Sequence, residues 1–232
     1  MLKGELRKIP SLTEAERERM FGIMVRHYAE VHWEAFLCDL SEKDGILLLV
    51  DQKGEIQGFS TYRFMHTRYA GEELVALFSG DTIIDRDHWG TPTLFGTFGR
   101  LLHALIQENR GKKTYWFLIT KGYRTYLMLP LFFKEFFPRH DQETPPYEKG
   151  LIAHLAVEKY GAQFDRERGI IAAQSYFLKG EFAETPEARL RNHHVRFFLE
   201  RNPGYLNGEE LACVCAIHPE NFRKRTRMLV RP

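Results

Sequence analysis

Between Glu73 and Pro138 two apolar, strand-like runs alternate with two helical ones, and this alternation restricts the fold more than any other feature of the chain. The first run, Leu74-Val75-Ala76-Leu77-Phe78, leads through Ser79-Gly80-Asp81-Thr82-Ile83-Ile84 into a polar turn over residues 85–90. Thr91-Pro92 then predicts a helix start. A threonine at the N-cap accepts an orphan amide hydrogen bond, and proline at the first helical position lacks an N–H that has no partner there. Leu94, Phe95, Phe98, Leu101, Leu102, Leu105 and Ile106 recur at helical spacing, and Gly111 falls where a left-handed C-terminal cap belongs. A second strand, residues 114–120, is rich in β-branched and aromatic residues, and a second apolar helix is predicted over residues 127–137. Both strands are nearly continuously apolar, as neighbouring strands covered on both faces are.

A strand–helix–strand unit in one sheet places the turns after its two strands at the same sheet edge, where ligands bind in open α/β sheets. That edge gathers Ser79, Asp81, Arg86, His88 and Trp89 with Thr120, Lys121, Tyr123, Arg124 and Tyr126. The helix beginning at Pro92 directs free amides to the same edge, which favours an anion there.

The 232 residues suffice for one large or two small domains, at about 100–200 residues each. A content of 44% hydrophobic and 28% charged residues, with 18 Phe, predicts a globular protein with an aromatic-rich core and excludes a disordered chain. A net charge of +2 gives no reason to expect nucleic acid or a membrane as partner. Cys213 and Cys215, two apart on a predicted strand, lack the second pair that a zinc site needs, and with Cys38 they are expected as buried thiols. No run approaches the roughly 20 apolar residues of a membrane span, and the charged first residues lack the apolar run of a signal peptide, so a cytoplasmic location is expected.

Residues 5–9 are predicted as a short strand. Ser11 and Thr13 each precede a glutamate by three residues (Glu14, Glu16), and both are capping-box candidates for a helix whose buried stripe is Met20, Phe21, Met24, Val25 and Tyr28. Trp33, Phe36, Leu37 and Leu40 predict a second helix, stopped by Gly45. Strands over residues 46–50 and 55–65 form a hairpin about Asp51-Gln52-Lys53-Gly54, with Gly58 marking a bulge or a close backbone approach. Further on, helices are predicted over residues 151–160 and 186–200, strands over 170–178 and 211–217, and then a short basic helix. The proline-bearing segment 137–150 divides an expected core, residues 1–140, from a C-terminal extension, residues 141–232, packed on it.

The order helix, helix, strand, hairpin strand, strand, helix, strand, helix over residues 8–137 resembles the GNAT-type acyl-CoA N-acyltransferases. The resemblance implies an α+β fold in three α/β layers. Its mixed central sheet has splayed strands that grip the pantetheine arm of an acyl thioester, and the C-terminal α/β extension is added to it. In that family an Arg/Gln-x-x-Gly-x-Gly/Ala turn holds the pyrophosphate of coenzyme A through backbone amides. The matching place here, Arg86-Asp87-His88-Trp89-Gly90-Thr91-Pro92, is one residue longer, lacks the second glycine, and loses an amide at Pro92. The departure favours an acyl carrier protein, whose phosphopantetheine arm carries a single phosphate, over acyl-CoA, and either remains an expected donor. Carrier proteins are acidic, and Arg223, Lys224, Arg225, Arg227 and Arg231 form a basic run that would dock one.

The resemblance implies transfer to an amine, with no tightly bound cofactor and no metal. Such chemistry needs a base for the ammonium, donors for an oxyanion and an acid near the sulfur. Asp81 is the expected base, with Glu73 the other carboxylate bracketing the strand and His88 an alternative. Tyr126 or Tyr123 is the expected acid, and the backbone near Phe78 and Ser79 the oxyanion donor. Ser79, Arg86, Gly90, Lys121 and Arg124 are expected to bind the donor, the last two through phosphate. His32, Glu34 and Tyr123 are expected to shape the acceptor pocket. Phe132, Phe133, Phe136 and Phe137 are read as core or as the wall of an acyl-chain site, and Pro130 as a kink or the true first turn of its helix. The alternative is a GNAT-like binding or scaffold protein without activity. Splayed strands with an open tunnel, against strands zipped together and filled by side chains, separate the two readings.

Overall fold

A computed structural model describes residues 2–172 and 176–230. Strand β1 (Lys3–Lys8) leads into helix α1 (Glu14–His27). Of the two capping-box candidates Thr13 is the one used. Its hydroxyl accepts from the Glu16 amide at 3.2 Å, and the Glu16 carboxylate accepts from the Thr13 amide at 2.8 Å. Arg7 of β1 pairs with the same glutamate, so the cap also fixes how α1 leaves the strand. Thr13→Ala is therefore expected to lower stability by about 1 kcal/mol in a urea melt, with Ser11→Ala costing less. The stripe of α1 differs from the expected one. Met20, Ile23, Met24 and His27 are buried at spacings of three and four, Val25 is exposed, and Tyr28 has left the helix for strand β2 (Tyr28–Ala29).

Helix α2 (Trp33–Ser41) ends before Gly45, which instead opens strand β3 (Gly45–Val50), where the Tyr62 hydroxyl occupies the space a Cβ would need. Strands β4 (Ile56–Tyr69) and β5 (Glu72–Ile84) form a long hairpin, and Gly58 marks a close approach, 2.9 Å from its ideal Cβ position to the Ile83 carbonyl. Helix α3 (Pro92–Glu108), capped by Thr91, crosses to β6 (Lys113–Thr120), which pairs parallel with β5.

The single helix expected over residues 127–137 is corrected to two short ones, α4 (Tyr123–Tyr126) and α5 (Met128–Phe132), with Pro130 in the first turn of α5. The chain then extends, bridging Phe133 to Phe222 and Phe137 to Val214. Extended backbone sends neighbouring side chains to opposite faces, so Phe136 and Phe137 enter different core clusters. Next come α6 (Pro146–Tyr160), β7 (Phe164–Asp165), β8 (Ile170–Ile171), β9 (Phe177–Leu178) and α7 (Gly180–Ala183). Helix α8 (His193–Arg201), β10 (Glu210–Ala216) and α9 (Lys224–Leu229) complete the chain. The strand expected over residues 170–178 is replaced by two short ones at its ends, with residues 173–175 outside the described residues. The helix expected from residue 186 begins at His193, after a 3-10 turn over Glu187–Arg191.

One mixed sheet runs β1-β3-β4-β5-β6-β10-β8-β7, so strands from the C-terminal extension continue the sheet of the first 140 residues. Alternation divides the core. Val75 and Leu77 of β5 pack toward α3 and α5, whereas Leu74, Ala76 and Phe78 pack toward α6, and α1 and α2 cover Ile46 and Leu48 of β3. Cys213 and Cys215 are buried on β10, while Cys38, expected to be buried, is exposed on α2. Among the described residues no helix is long and apolar enough to cross a membrane, and no cluster of His, Cys, Asp and Glu is set to hold a metal ion.

Candidate active site

The site originates in one extra residue. Tyr62 of β4 pairs with Ser79 and Ser60 with Thr82, so Gly80 and Asp81 together stand opposite Thr61. This β-bulge bends β5 away from β6. The parallel pairing with β6 runs from Leu74 and Lys113 to Ser79 and Leu118 and then stops, although β5 stays paired with β4 to Ile84. Position 80 suits glycine, because a Cβ would lie 2.5 Å from Thr61 Oγ1 and 3.0 Å from Lys43 Cε and would require those side chains to shift. The opened wedge is a cavity of about 570 Å³. Its apolar part is walled by residues such as Ile84, Leu94, Phe95, Leu127 and Met128, and its polar end by Asp39, Lys43, Asp81, Lys121, Tyr176 and Glu210.

At the polar end Asp39 pairs with Lys43 at 2.5 Å and Glu210 with Lys121 at 3.0 Å. Asp81, with neither ammonium in its own ion pair, accepts a hydrogen bond from the Tyr176 hydroxyl at 3.0 Å. Burial raises the Asp81 pKa above the ordinary carboxylate value and Asp39 repels its charge, while Lys43, Lys121 and the Tyr176 hydrogen bond pull it back. Burial also raises the Glu210 pKa, against the attraction of Lys121. Asp39, Asp81 and Glu210 thus line one end of the cavity together with Lys43 and Lys121.

Six of the sequence-predicted residues line this cavity: His32, Asp81, Gly90, Lys121, Tyr123 and Arg124. Asp81 lies within the bulged strand and not in a turn. Lys121, expected as a phosphate ligand, pairs with buried Glu210, and its ammonium lies 3.6 Å from the Tyr176 ring centre. Arg124 lies over the Trp89 ring at 4.5 Å and donates to the Phe182 carbonyl at 3.0 Å. Tyr126, expected as the acid, is not among the residues lining the cavity. It is fully buried behind the cavity wall, and its hydroxyl donates to the Pro138 carbonyl at 2.9 Å. Ser79 is buried and its hydroxyl accepts from Trp116 Nε1 at 2.8 Å, so only its backbone is left to act. Glu34 projects from the first turn of α2 outside the cavity lining, and Glu73 lies at the other end of β5, near Lys112. His88 borders a separate shallow hollow near Asp51 and Lys53, and Arg86 lies in the same 3-10 turn outside the cavity.

Sequence reasoning missed Asp39, Lys43, Tyr176 and Glu210. Lys43 follows Asp39 by four residues across the end of α2, a local signal of an ion pair, and Glu210 heads a strongly apolar strand, a local signal of a buried charge. Nothing local marks Tyr176.

A hairpin feeding a parallel β5–β6 pair that is closed to Ser79 and open beyond it, with α3 between the two strands, is the arrangement the resemblance implies. The sheet order and the splaying of β5 from β6 agree with a GNAT-type fold. A GNAT N-acetyltransferase (YhbS) of Escherichia coli in complex with CoA has 16% identity and a TM-score of 0.39 over 57% of this chain and 69% of its own. An acetyltransferase of Trypanosoma brucei has 16% identity and a TM-score of 0.40 over 62% and 98%. A conserved Enterococcus faecalis protein of unknown function, described as a probable N-acyltransferase, has 13% identity and a TM-score of 0.40 over 54% and 31%, so the chain spans about a third of that protein. No family model and no curated protein matches the chain.

Where GNAT enzymes hold pyrophosphate, four amides of the turn and the helix start are already engaged. His88 N–H donates to Asp85 O, Trp89 N–H to Arg86 O, Thr91 N–H to His88 O and Thr93 N–H to Thr91 Oγ1. Pro92 has none. Gly90, with φ of +80°, turns the chain into α3 without restoring the cradle.

Proposed function

We propose that the protein is an acyltransferase that moves an acyl group from a phosphopantetheine thioester to an amine. The observation that carries this reading is the open wedge between β5 and β6, which runs from the N-terminal end of α3 to a carboxylate with a raised pKa. Strands zipped and filled by side chains would have favoured the scaffold alternative. In the reaction Asp81 takes a proton from the ammonium. The nitrogen then bonds to the thioester carbonyl carbon, the carbon–sulfur bond breaks, and the second proton of the nitrogen leaves through solvent, which restores the phenol that protonates the sulfur. Tyr123, which lines the cavity where Tyr126 does not, is the hydroxyl assigned to return a proton to the departing sulfur. Backbone N–H groups of β5 beyond Ser79 that face β6 have no partner in that strand, which supports their role as oxyanion donors.

An acylated carrier protein is the favoured donor, because the amides of His88, Trp89 and Thr91 are engaged within the turn and Pro92 has none to offer a diphosphate. Arg223, Lys224, Arg225 and Arg227 are exposed at helix α9, which packs on α3, and would meet its acidic surface; Arg231 lies outside the described residues. The test compares acyl-CoA, an acyl phosphopantetheine and an acylated carrier protein by thiol release and by native mass spectrometry. The phosphopantetheine is expected to match acyl-CoA within about tenfold in kcat/KM, the equivalent of 1.4 kcal/mol, and the carrier protein to exceed both. A larger preference for acyl-CoA would show diphosphate recognition and end the carrier-protein reading. Binding of none of the three would favour the scaffold.

A further inference from the structure

Residues 176–189 cross the cavity as a strap. Tyr28 pairs with Leu178 and Ala29 with Phe177, and the Lys179 amide donates to the His27 carbonyl at 2.9 Å. At its far end the Phe182 carbonyl accepts from Arg124, and the Phe182 ring lies 5.8 Å from Trp89 and 4.4 Å from His27. The His27 ring that Phe182 covers lines the cavity, and its Nε2 is buried without a hydrogen-bond partner among the described residues. At the start of the strap, just before these pairings, Tyr176 reaches inward. Its hydroxyl donates to Asp81, Lys121 sits over its ring, and Tyr28 meets it edge-on at 5.4 Å.

We propose that the strap is a working part of the site, in which Tyr176 is the positioning residue that fixes the Asp81 carboxylate while Arg124 and Phe182 hold the strap seated over the donor end. This rests on the acyltransferase reading for its catalytic consequence, though not for its physical content. A carboxylate on a bulged strand has one oxygen anchored by the phenol, which leaves the other oriented toward the cavity for the incoming ammonium. The anchor comes from a different element than the carboxylate, so the base is oriented only while the strap is seated. Seating also leaves His27 Nε2 unpartnered, an imbalance that a ligand N–H or an opened strap would relieve.

The charged and titratable groups facing Asp81 are Asp39 and Lys43 at the end of α2, Lys121 after β6, Tyr28 of β2, Tyr160 of α6, Glu210 of β10 and Tyr176 itself. Tyr176→Phe removes a stabilising hydrogen bond from the ionised carboxylate and leaves the charged groups around it in place. Its titration should therefore move to higher pH.

The experiment follows the carboxyl carbon of Asp81 by NMR in protein labelled at aspartate, with its signal assigned by loss in Asp81→Asn, together with hydrogen exchange at the Lys179 amide. In Tyr176→Phe the Asp81 titration is expected at higher pH with Lys179 exchange unchanged. In Arg124→Gln exchange at Lys179 should rise about tenfold or more, and the Asp81 titration should move in the same direction. With a thioester donor, Tyr176→Phe should lower kcat with little change in KM and shift the acid limb of the rate profile upward. An Asp81 titration unmoved by either variant overturns the proposal, as does an Arg124→Gln strap that opens without affecting Asp81. If both variants move the titration as stated but the wild-type protein transfers no acyl group, the positioning role stands and the acyltransferase reading falls.

Discussion

Asp81→Asn is expected to reduce kcat/KM for acyl transfer by about 10²- to 10⁴-fold, the range general-base catalysis contributes, with the thermal melt nearly unchanged. Asparagine keeps the size of the side chain and an oxygen to accept from Tyr176, so the wedge stays open and only the proton acceptor is lost. The wild-type pH profile gives a second signature. Asp81 works unprotonated, and its pKa lies above the ordinary carboxylate value. The wild-type rate should thus decline as the pH falls through that raised pKa, earlier than an exposed aspartate would allow. The residual rate of Asp81→Asn should lack this limb. A variant retaining activity within about threefold of wild type would remove Asp81 from the mechanism, because general-base losses are larger than that.

Glu210→Gln is expected to destabilise the fold by about 3–5 kcal/mol, lowering the melting temperature by roughly 6–20 °C for a chain of this size. The side chains of Lys121 and Glu210 are 5% and 8% exposed and 3.0 Å apart, so the substitution leaves a buried ammonium without its partner. The double variant Lys121→Met with Glu210→Leu separates pairing from packing. With no charge left unpaired it should recover most of the loss, since buried ion pairs give little advantage over apolar residues of similar volume. A loss below about 1 kcal/mol in Glu210→Gln, typical of a solvated pair, would mean that cavity water already serves Lys121.

The layered core was legible from local pattern. Apolar runs at strand length, helical spacing in α3 and the Thr91-Pro92 start fixed the strand–helix–strand unit because each signal lies within a few residues. The same logic failed over residues 127–137. Phenylalanines there fit a helix by spacing, but bridges to Val214 and Phe222, far along the chain, draw the backbone out straight. The site was legible where strand ends supply it, in Asp81, Lys121, Tyr123 and Arg124, and obscure where remote segments do. Asp81 was named without its neighbours because Asp39, Tyr176 and Glu210 reach it only through tertiary packing. Tyr126 was misplaced because one step along a short helix separates a side chain facing the wedge from one facing the core. The bulge itself had a visible mark in Gly80, a glycine inside a strand pattern.

The placement of β10 has a consequence for how the molecule comes into being. This strand lies in the middle of the sheet, clamped between β6 and β8, yet it is made long after β6. Until it arrives, β6 is an open edge of apolar residues, a template onto which any extended chain can add. The pairing of Leu211 with Thr120 closes a loop of about ninety residues, and contacts that distant in sequence form slowly. Glu210, at the head of that strand, meets Lys121 only when the loop closes, so the charge balance of the cavity is set in the same late event that seals the sheet.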